Sequence, residues 1–95
     1  MATTILIPTP LRVYTDKRDA VEVTGETVED ALKDLTHNYA ALKKHLYADD
    51  GRLRSFVNIY VNDEDIRYLQ KEQTKISAHD VLSIIPSIAG GRGQA

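Results

Sequence analysis

The sequence predicts a single α+β domain in which one sheet is covered by one main helix. Three observations carry that reading. Apolar residues recur at spacings of three and four from Val28 through Leu32, Leu35, Tyr39 and Leu42 to Leu46, the period of a helix with one buried face. Short β-branched or alternating runs lie on either side of it, at residues 3–7, 20–23, 55–62 and 81–85. A length of 95 residues leaves room for one hydrophobic core and no second.

Each element has a local reason. Residues 3–7 are β-branched and apolar, and Pro8 and Pro10 stop them. Residues 11–14 read as an extended continuation, and 15–19 as a polar turn. The alternation of Ala20-Val21-Glu22-Val23 predicts a second strand that pairs back on the first as a hairpin. Gly25 and Glu26 mark a turn, Thr27 caps a helix, and Glu29 and Asp30 suit its positive end. Lys33, Asp34, Lys43 and Lys44 fall on the other helix faces, and His37-Asn38 is the expected break. Asp49-Asp50-Gly51 is a turn. Residues 55–62 form the strongest strand, with Val57, Ile59 and Val61 inward and Phe56, Asn58 and Tyr60 on the opposite face. Residues 62–65 read as a tight polar turn, and 66–70 as strand or irregular chain. In the last strand Leu82 and Ile84 point inward, and Val81, Ser83 and Ile85 outward. The domain is expected to span residues 1–86. Residues 87–95 then form a flexible tail, because three of the last six residues are glycine.

Composition excludes several functions. Apolar residues at 42% and charged residues at 27% are ordinary for a globular chain and argue against general disorder. Twelve basic against fourteen acidic residues leave no cationic excess for a nucleic-acid backbone. With no cysteine there is no disulfide, thiolate nucleophile, iron–sulfur cluster or Cys-based zinc site. No apolar run approaches the ~20 residues of a membrane helix. The first residues lack the basic and apolar regions of a secretory signal, so a cytoplasmic location is expected.

No catalytic constellation is visible, and no catalytic residue or enzyme activity of the chain's own is expected. His37 and His45 are eight apart, too far for an i, i+4 metal pair, and residues 62–65 lack the spacing and glycine of a calcium loop, so no metal is expected. No glycine-rich loop joins a strand to a helix, and no serine has an elbow context. Two features stand out. Phe56, Tyr60 and Ile85 project from the sheet face away from the helix, either as scattered exposed apolar residues or as a docking patch. Gly90-Gly91 lacks side chains, so it is either a plain flexible end or a tail that threads a narrow enzyme channel.

The strand-strand-helix-strand-strand order, ending Ile85-Pro86-Ser87-Ile88-Ala89-Gly90-Gly91, resembles the ubiquitin-like β-grasp sulfur carriers of the MoaD/ThiS family. Residues 80–91 carry the match best: an Asp, an alternating strand, a Pro, then an apolar residue before Gly-Gly. Residues 56–67 are similar to the branch that serves protein-dependent cysteine biosynthesis in actinobacteria. The likeness spans residues 3–91.

The resemblance implies a mixed sheet of four to five strands with the helix packed on one face. It implies that an E1-like enzyme adenylates the carboxylate of Gly91 with ATP, and that a sulfur donor then displaces AMP to leave a thiocarboxylate. A sulfur-accepting synthase, pyridoxal-phosphate-dependent in the cysteine branch, takes the sulfur into a small product. A JAMM-type zinc metalloprotease releases that product. No cofactor is bound by the carrier. The family's docking face maps onto Leu6, Pro8, Phe56, Tyr60 and Ile85, with Arg12 at its edge. The family's mature form ends at Gly-Gly, whereas here Arg92-Gly93-Gln94-Ala95 follows. That extension implies a precursor cleaved between Gly91 and Arg92. The same fold also serves as a protein modifier attached to lysines, as a molybdopterin-synthase small subunit, or as an interaction module with an inert tail.

Overall fold

The computed structural model describes residues 2–86. Five strands form one sheet: β1 (Thr3–Leu6), β2 (Ala20–Val23), β3 (Val57–Val61), β4 (Glu64–Asp65) and β5 (Val81–Pro86), in the order β2-β1-β5-β3-β4. β1 pairs antiparallel with β2 and parallel with β5, while β3 is antiparallel to both β5 and β4. The sheet is therefore mixed, with the first and last strands side by side at its centre.

One helix covers one face. α1 (Val28–Asn38) starts at Thr27, whose extended backbone places Oγ1 3.2 Å from the Asp30 amide that donates to it. The Asp30 carboxylate in turn accepts from the Glu26 amide, so the two residues satisfy each other's neighbourhood. Val28, Ala31, Leu32 and Leu35 are buried against Ile5, Ile7, Val21, Val23, Ile59, Leu82 and Ile84 of the sheet side. Each such large side chain contributes roughly 1.5–3 kcal/mol on burial. α1 ends at Asn38, as the His37-Asn38 interruption implies. A 3₁₀ turn (Ala40–Leu42) and a single helical turn, α2 (Lys43–Leu46), carry Leu42 and Leu46 back into the core.

Gly25 makes the entry to α1 possible. Its φ is +155°, and a Cβ there would lie 2.7 Å from the Asp30 Cβ and 2.8 Å from the Ala31 nitrogen. Only glycine lets the chain turn this close to the first helical turn.

Three local expectations are corrected, and a fourth, at residues 66–70, is resolved between its alternatives. Residues 9–14 form a 3₁₀ helix (Thr9–Tyr14), not extended chain. Proline fixes φ near the helical value and lacks an N–H that the first helical turn would leave unpaired, so Pro10 starts the turn, and Leu11 donates to the Pro8 carbonyl at 2.9 Å. Buried Thr15 ends the segment with its hydroxyl within reach of the Arg12 and Arg18 carbonyls. The tight turn at 62–65 is confined to Asn62-Asp63, whose φ values of 49° and 75° are those of a two-residue hairpin, and Glu64 and Asp65 pair as β4. Residues 66–70 contain a 3₁₀ turn (Ile66–Tyr68) that buries Ile66. The strand expected at 55–62 is shorter, leaving Ser55, Phe56 and Asn62 in the flanking turns. The proposed boundary at residue 86 and the tail 87–95 lie outside the described residues.

Asp80 organises the approach to β5. Its carboxylate accepts from Asn62 Nδ2 and from the Ser77 amide, both at 2.8 Å, while Asn62 Oδ1 accepts from the Val81 amide at 3.0 Å. The Asn62 hydrogen bond first, then the Ser77 amide, holds this carboxyl below the usual carboxylate range.

Two predictions follow from these contacts. Gly25→Ala should lower the unfolding free energy in urea by roughly 1–3 kcal/mol, since a strained φ and a backbone clash coincide; an unchanged midpoint would show that the turn relaxes freely. For Asp80 the folded value is the lower one. The stability its carboxylate contributes is present above the ordinary value of 3.8 and lost as pH falls through the folded value. Thermal melts should therefore drop below about pH 4, and Asp80→Asn should flatten part of that drop. A residual slope is expected, because Asp65 is depressed by its hydrogen bonds from Arg67 in the same way.

Candidate functional site

The sheet face turned away from α1 is built by strand parity. Leu6 on β1 sits beside Ser83 on β5, and Ser83 sits beside Tyr60 on β3. The row thus runs from a leucine across a small serine to a tyrosine. In the next row Ile85 faces Asn58. Leu6, Phe56 and Ile85 are 43%, 42% and 46% exposed, whereas their strand neighbours Ile5, Val57 and Ile84 are buried. These three large apolar side chains are thus half in water. Tyr60 and Pro8 are half-buried. Arg12 is half-buried too, and its Nε donates to the Ile7 carbonyl at 3.0 Å, which fixes the side chain near the end of β1.

Beyond Tyr60 the face closes on an ion pair. Asp65, opposite Tyr60 on β4, is buried and accepts from Arg67 Nη2 at 2.7 Å, from Arg67 Nε and from the Arg67 amide. These hydrogen bonds, with the side-chain one foremost, hold Asp65 ionised below its ordinary range. The sequence reading passed over this pair because it took residues 62–65 as a simple turn. The available signal was an Asp two residues before an Arg, the spacing of a side-chain cap.

The structure brings Leu6, Tyr60 and Ile85 onto one face. Phe56 lies at the end of β3, where it also lines a cleft of about 390 Å³ with Pro10, Leu11, Val57 and Pro86. Lys44, His45 and Arg54 complete that cleft. Sequence inspection missed it, since its walls come from four separate segments and no spacing announces their meeting. The Tyr14 ring stacks on His45 at 4.3 Å between centroids. A second open groove, about 960 Å³, runs along α1 and the turn after α2 with residues of both signs, among them Glu29, Lys33, Lys43 and Glu72. Tyr47 in its wall is pushed up to about 12, by burial first and then by the charges of Glu72 and Glu29. Gly90, Gly91 and Arg92 lie outside the described residues, and Pro86 is the last described position.

This geometry leaves apolar side chains on the sheet face away from α1 partly open to water. A profile of the ThiS family matches residues 5–91. The chain belongs to the ThiS family. It is 40% identical over 93 residues to the sulfur carrier protein CysO of Mycobacterium tuberculosis, covering 96% of this chain and 100% of that protein. Among solved structures, a chain in the crystal structure of the Amycolatopsis orientalis BexX/CysO complex superposes with a TM-score of 0.86 at 38% identity, covering 95% of this chain and 100% of that one. Small archaeal modifier protein 1 of Haloferax volcanii is 36% identical over 72 residues, 75% of this chain and 78% of that protein. The fold is the ubiquitin-like β-grasp that the resemblance implied. Members of this ThiS branch include small carrier proteins, and the Amycolatopsis relative has been seen with another protein. No helix among the described residues is long and apolar enough to cross a membrane.

Two substitutions separate core from face. Ile59→Asp should unfold the domain, because a buried unpaired carboxylate costs several kcal/mol. Phe56→Asp should cost about 1 kcal/mol or less, its ring being already half in water. Chemical denaturation of both reads the difference, and equal losses would contradict the two-faced sheet.

Proposed function

We propose that this ThiS-family chain is a sulfur carrier whose activated group is the C-terminal carboxylate of Gly91. The observation that carries the reading is the near-full-length identity to a protein named as a sulfur carrier. The half-exposed apolar face beside β5, the strand that leads toward Gly90-Gly91, supports it.

In this reading a JAMM-type zinc metalloprotease first hydrolyses the Gly91–Arg92 peptide bond, freeing a carboxylate. An E1-like enzyme then lets that carboxylate attack the α-phosphorus of ATP, with pyrophosphate leaving. A sulfur donor displaces AMP from the acyl adenylate, so the carbonyl carbon exchanges its oxygen–phosphorus link for sulfur. The product is a thiocarboxylate. In the cysteine branch, a pyridoxal-phosphate-dependent synthase accepts the sulfur as a carrier–cysteine adduct, and proteolysis regenerates the carrier. The chain itself supplies the carboxylate and the docking face, Leu6, Pro8, Phe56, Tyr60 and Ile85 with Arg12 at the edge. A domain of residues 1–86 holds the face, and 87–95 present Gly90-Gly91. Glycine at both positions keeps the threaded tail free of side chains, and the absence of cysteine leaves the thiocarboxylate as the sulfur's place on this chain.

A second reading is favoured by one specific likeness, that to Small archaeal modifier protein 1. There the same activated glycine would be attached to lysines of target proteins.

The intact mass of the protein isolated from its own cells tests the proposal. The expected species ends at Gly91, a fraction of it heavier by the difference between sulfur and oxygen, and Gly91→Ala removes the heavier fraction without changing the melting temperature. A chain that keeps Ala95 in every fraction contradicts the processing step. A ladder of larger conjugates without the sulfur-bearing species supports the modifier.

A further inference from the structure

The cleft beside Phe56 holds two cations with no anion. Pro10, Leu11, Phe56, Val57 and Pro86 make its apolar wall. At its rim Arg54 Nε donates to the Lys44 backbone carbonyl at 2.9 Å, which fixes the Arg54 side chain against the backbone of residue 44. Among the described residues neither Lys44 nor Arg54 forms an ion pair, and no carboxylate lines the cleft. His45, also in the lining, has an Nε2 that is buried without a hydrogen-bond partner among the described residues. An unpaired buried polar atom is costly. The chain thus leaves unfilled a site that wants an apolar side chain flanked by negative charge.

We propose that this cleft docks an acidic peptide segment of the enzyme that acts on the carrier's C-terminus. The segment places an apolar side chain against Phe56 and Pro86, with a carboxylate at Lys44 and Arg54. The assignment rests on the carrier reading only for the partner's being such an enzyme. Pro86 is the observation that links the two, since it lines the cleft and is the residue from which the chain continues toward Gly91. Charge complementarity at such a rim sets approach and register, and it weakens with salt.

The test is an NMR titration of the full chain with the peptide acetyl-Asp-Leu-Glu-Phe-Asp-amide, and with its charge-inverted counterpart acetyl-Lys-Leu-Lys-Phe-Lys-amide. The acidic peptide should produce saturable shifts at the amides of Lys44, His45, Arg54, Phe56 and Val57. Its dissociation constant should rise at least about threefold between about 50 and about 300 mM salt. The inverted peptide should produce none. Lys44→Glu with Arg54→Glu should abolish the shifts while leaving the melting curve in place, and the milder Lys44→Gln with Arg54→Gln should weaken them. Equal shifts with both peptides, or none with either, overturn the proposal. So does a concentration dependence of the same amides without peptide, which would put a second copy of the chain in the cleft. The titration does not depend on the C-terminal residues, so its failure is distinct from a mass spectrum that contradicts the carrier reading.

Discussion

The parallel pairing of β1 with β5 is the constraint on which the rest depends. It joins the two ends of the described chain at the centre of the sheet, so every other strand is placed by reference to it. A parallel neighbour requires a crossover, and here the crossover includes α1. That helix can cover only one face. Ile5 and Leu82, partners in this pairing, are fully buried beneath it. On the other side of the same two strands, Leu6 lies beside Ser83 in partial contact with water. One pairing thus produces both the core and the open face. It also places Pro86, the last described residue, at the end of β5.

Placing the open face back to back with the core has an energetic consequence. A residue on β3 alternates between the two roles at each step, so a one-residue slip would exchange Ile59 with Tyr60. Register must therefore be held firmly, and the holding residues are polar. Asn62 and Asp80 lock the β3–β4 turn to the start of β5 through two side-chain hydrogen bonds and a backbone one. Thr3 does the same at the other end of the chain, its hydroxyl donating to the Ser77 carbonyl at 2.8 Å. These contacts meet near residues 77–81, so β1, β3 and β5 are indexed from one common point.

Much of this was legible in the sequence, and what was not has a physical reason. Period-two alternation named Val57, Ile59, Val61, Leu82 and Ile84 as inward, because one buried face leaves its stamp on every second residue. The α1 stripe was legible for the same reason. Residues 11–14 were misread because proline signals both a strand end and a helix start, and only the Leu11 side chain reaching the core decides between them. The Asp65–Arg67 pair was hidden inside a run of acidic residues that looked like a solvated turn. The open sheet face was half legible: parity placed Tyr60 and Ile85 on it, Phe56 falls in the turn before β3, and Leu6, Pro8 and Arg12 came from family likeness. The cleft was not legible at all, since Pro10, Lys44, Arg54 and Pro86 meet only through the tertiary fold.

An exposed apolar face next to strand edges invites edge-to-edge association, and the way this chain limits it bears on how the face is used. Both edge strands are short, and each carries charge. β2 has four residues and turns Glu22 outward, while β4 has only two and is closed by the Arg67 fork on Asp65. The apolar residues are left available while the backbone beside them is not. A partner that reads this chain must then recognise the side chains of the face rather than extend the sheet. Recognition of that kind is reversible, which is what the proposed carrier role would need.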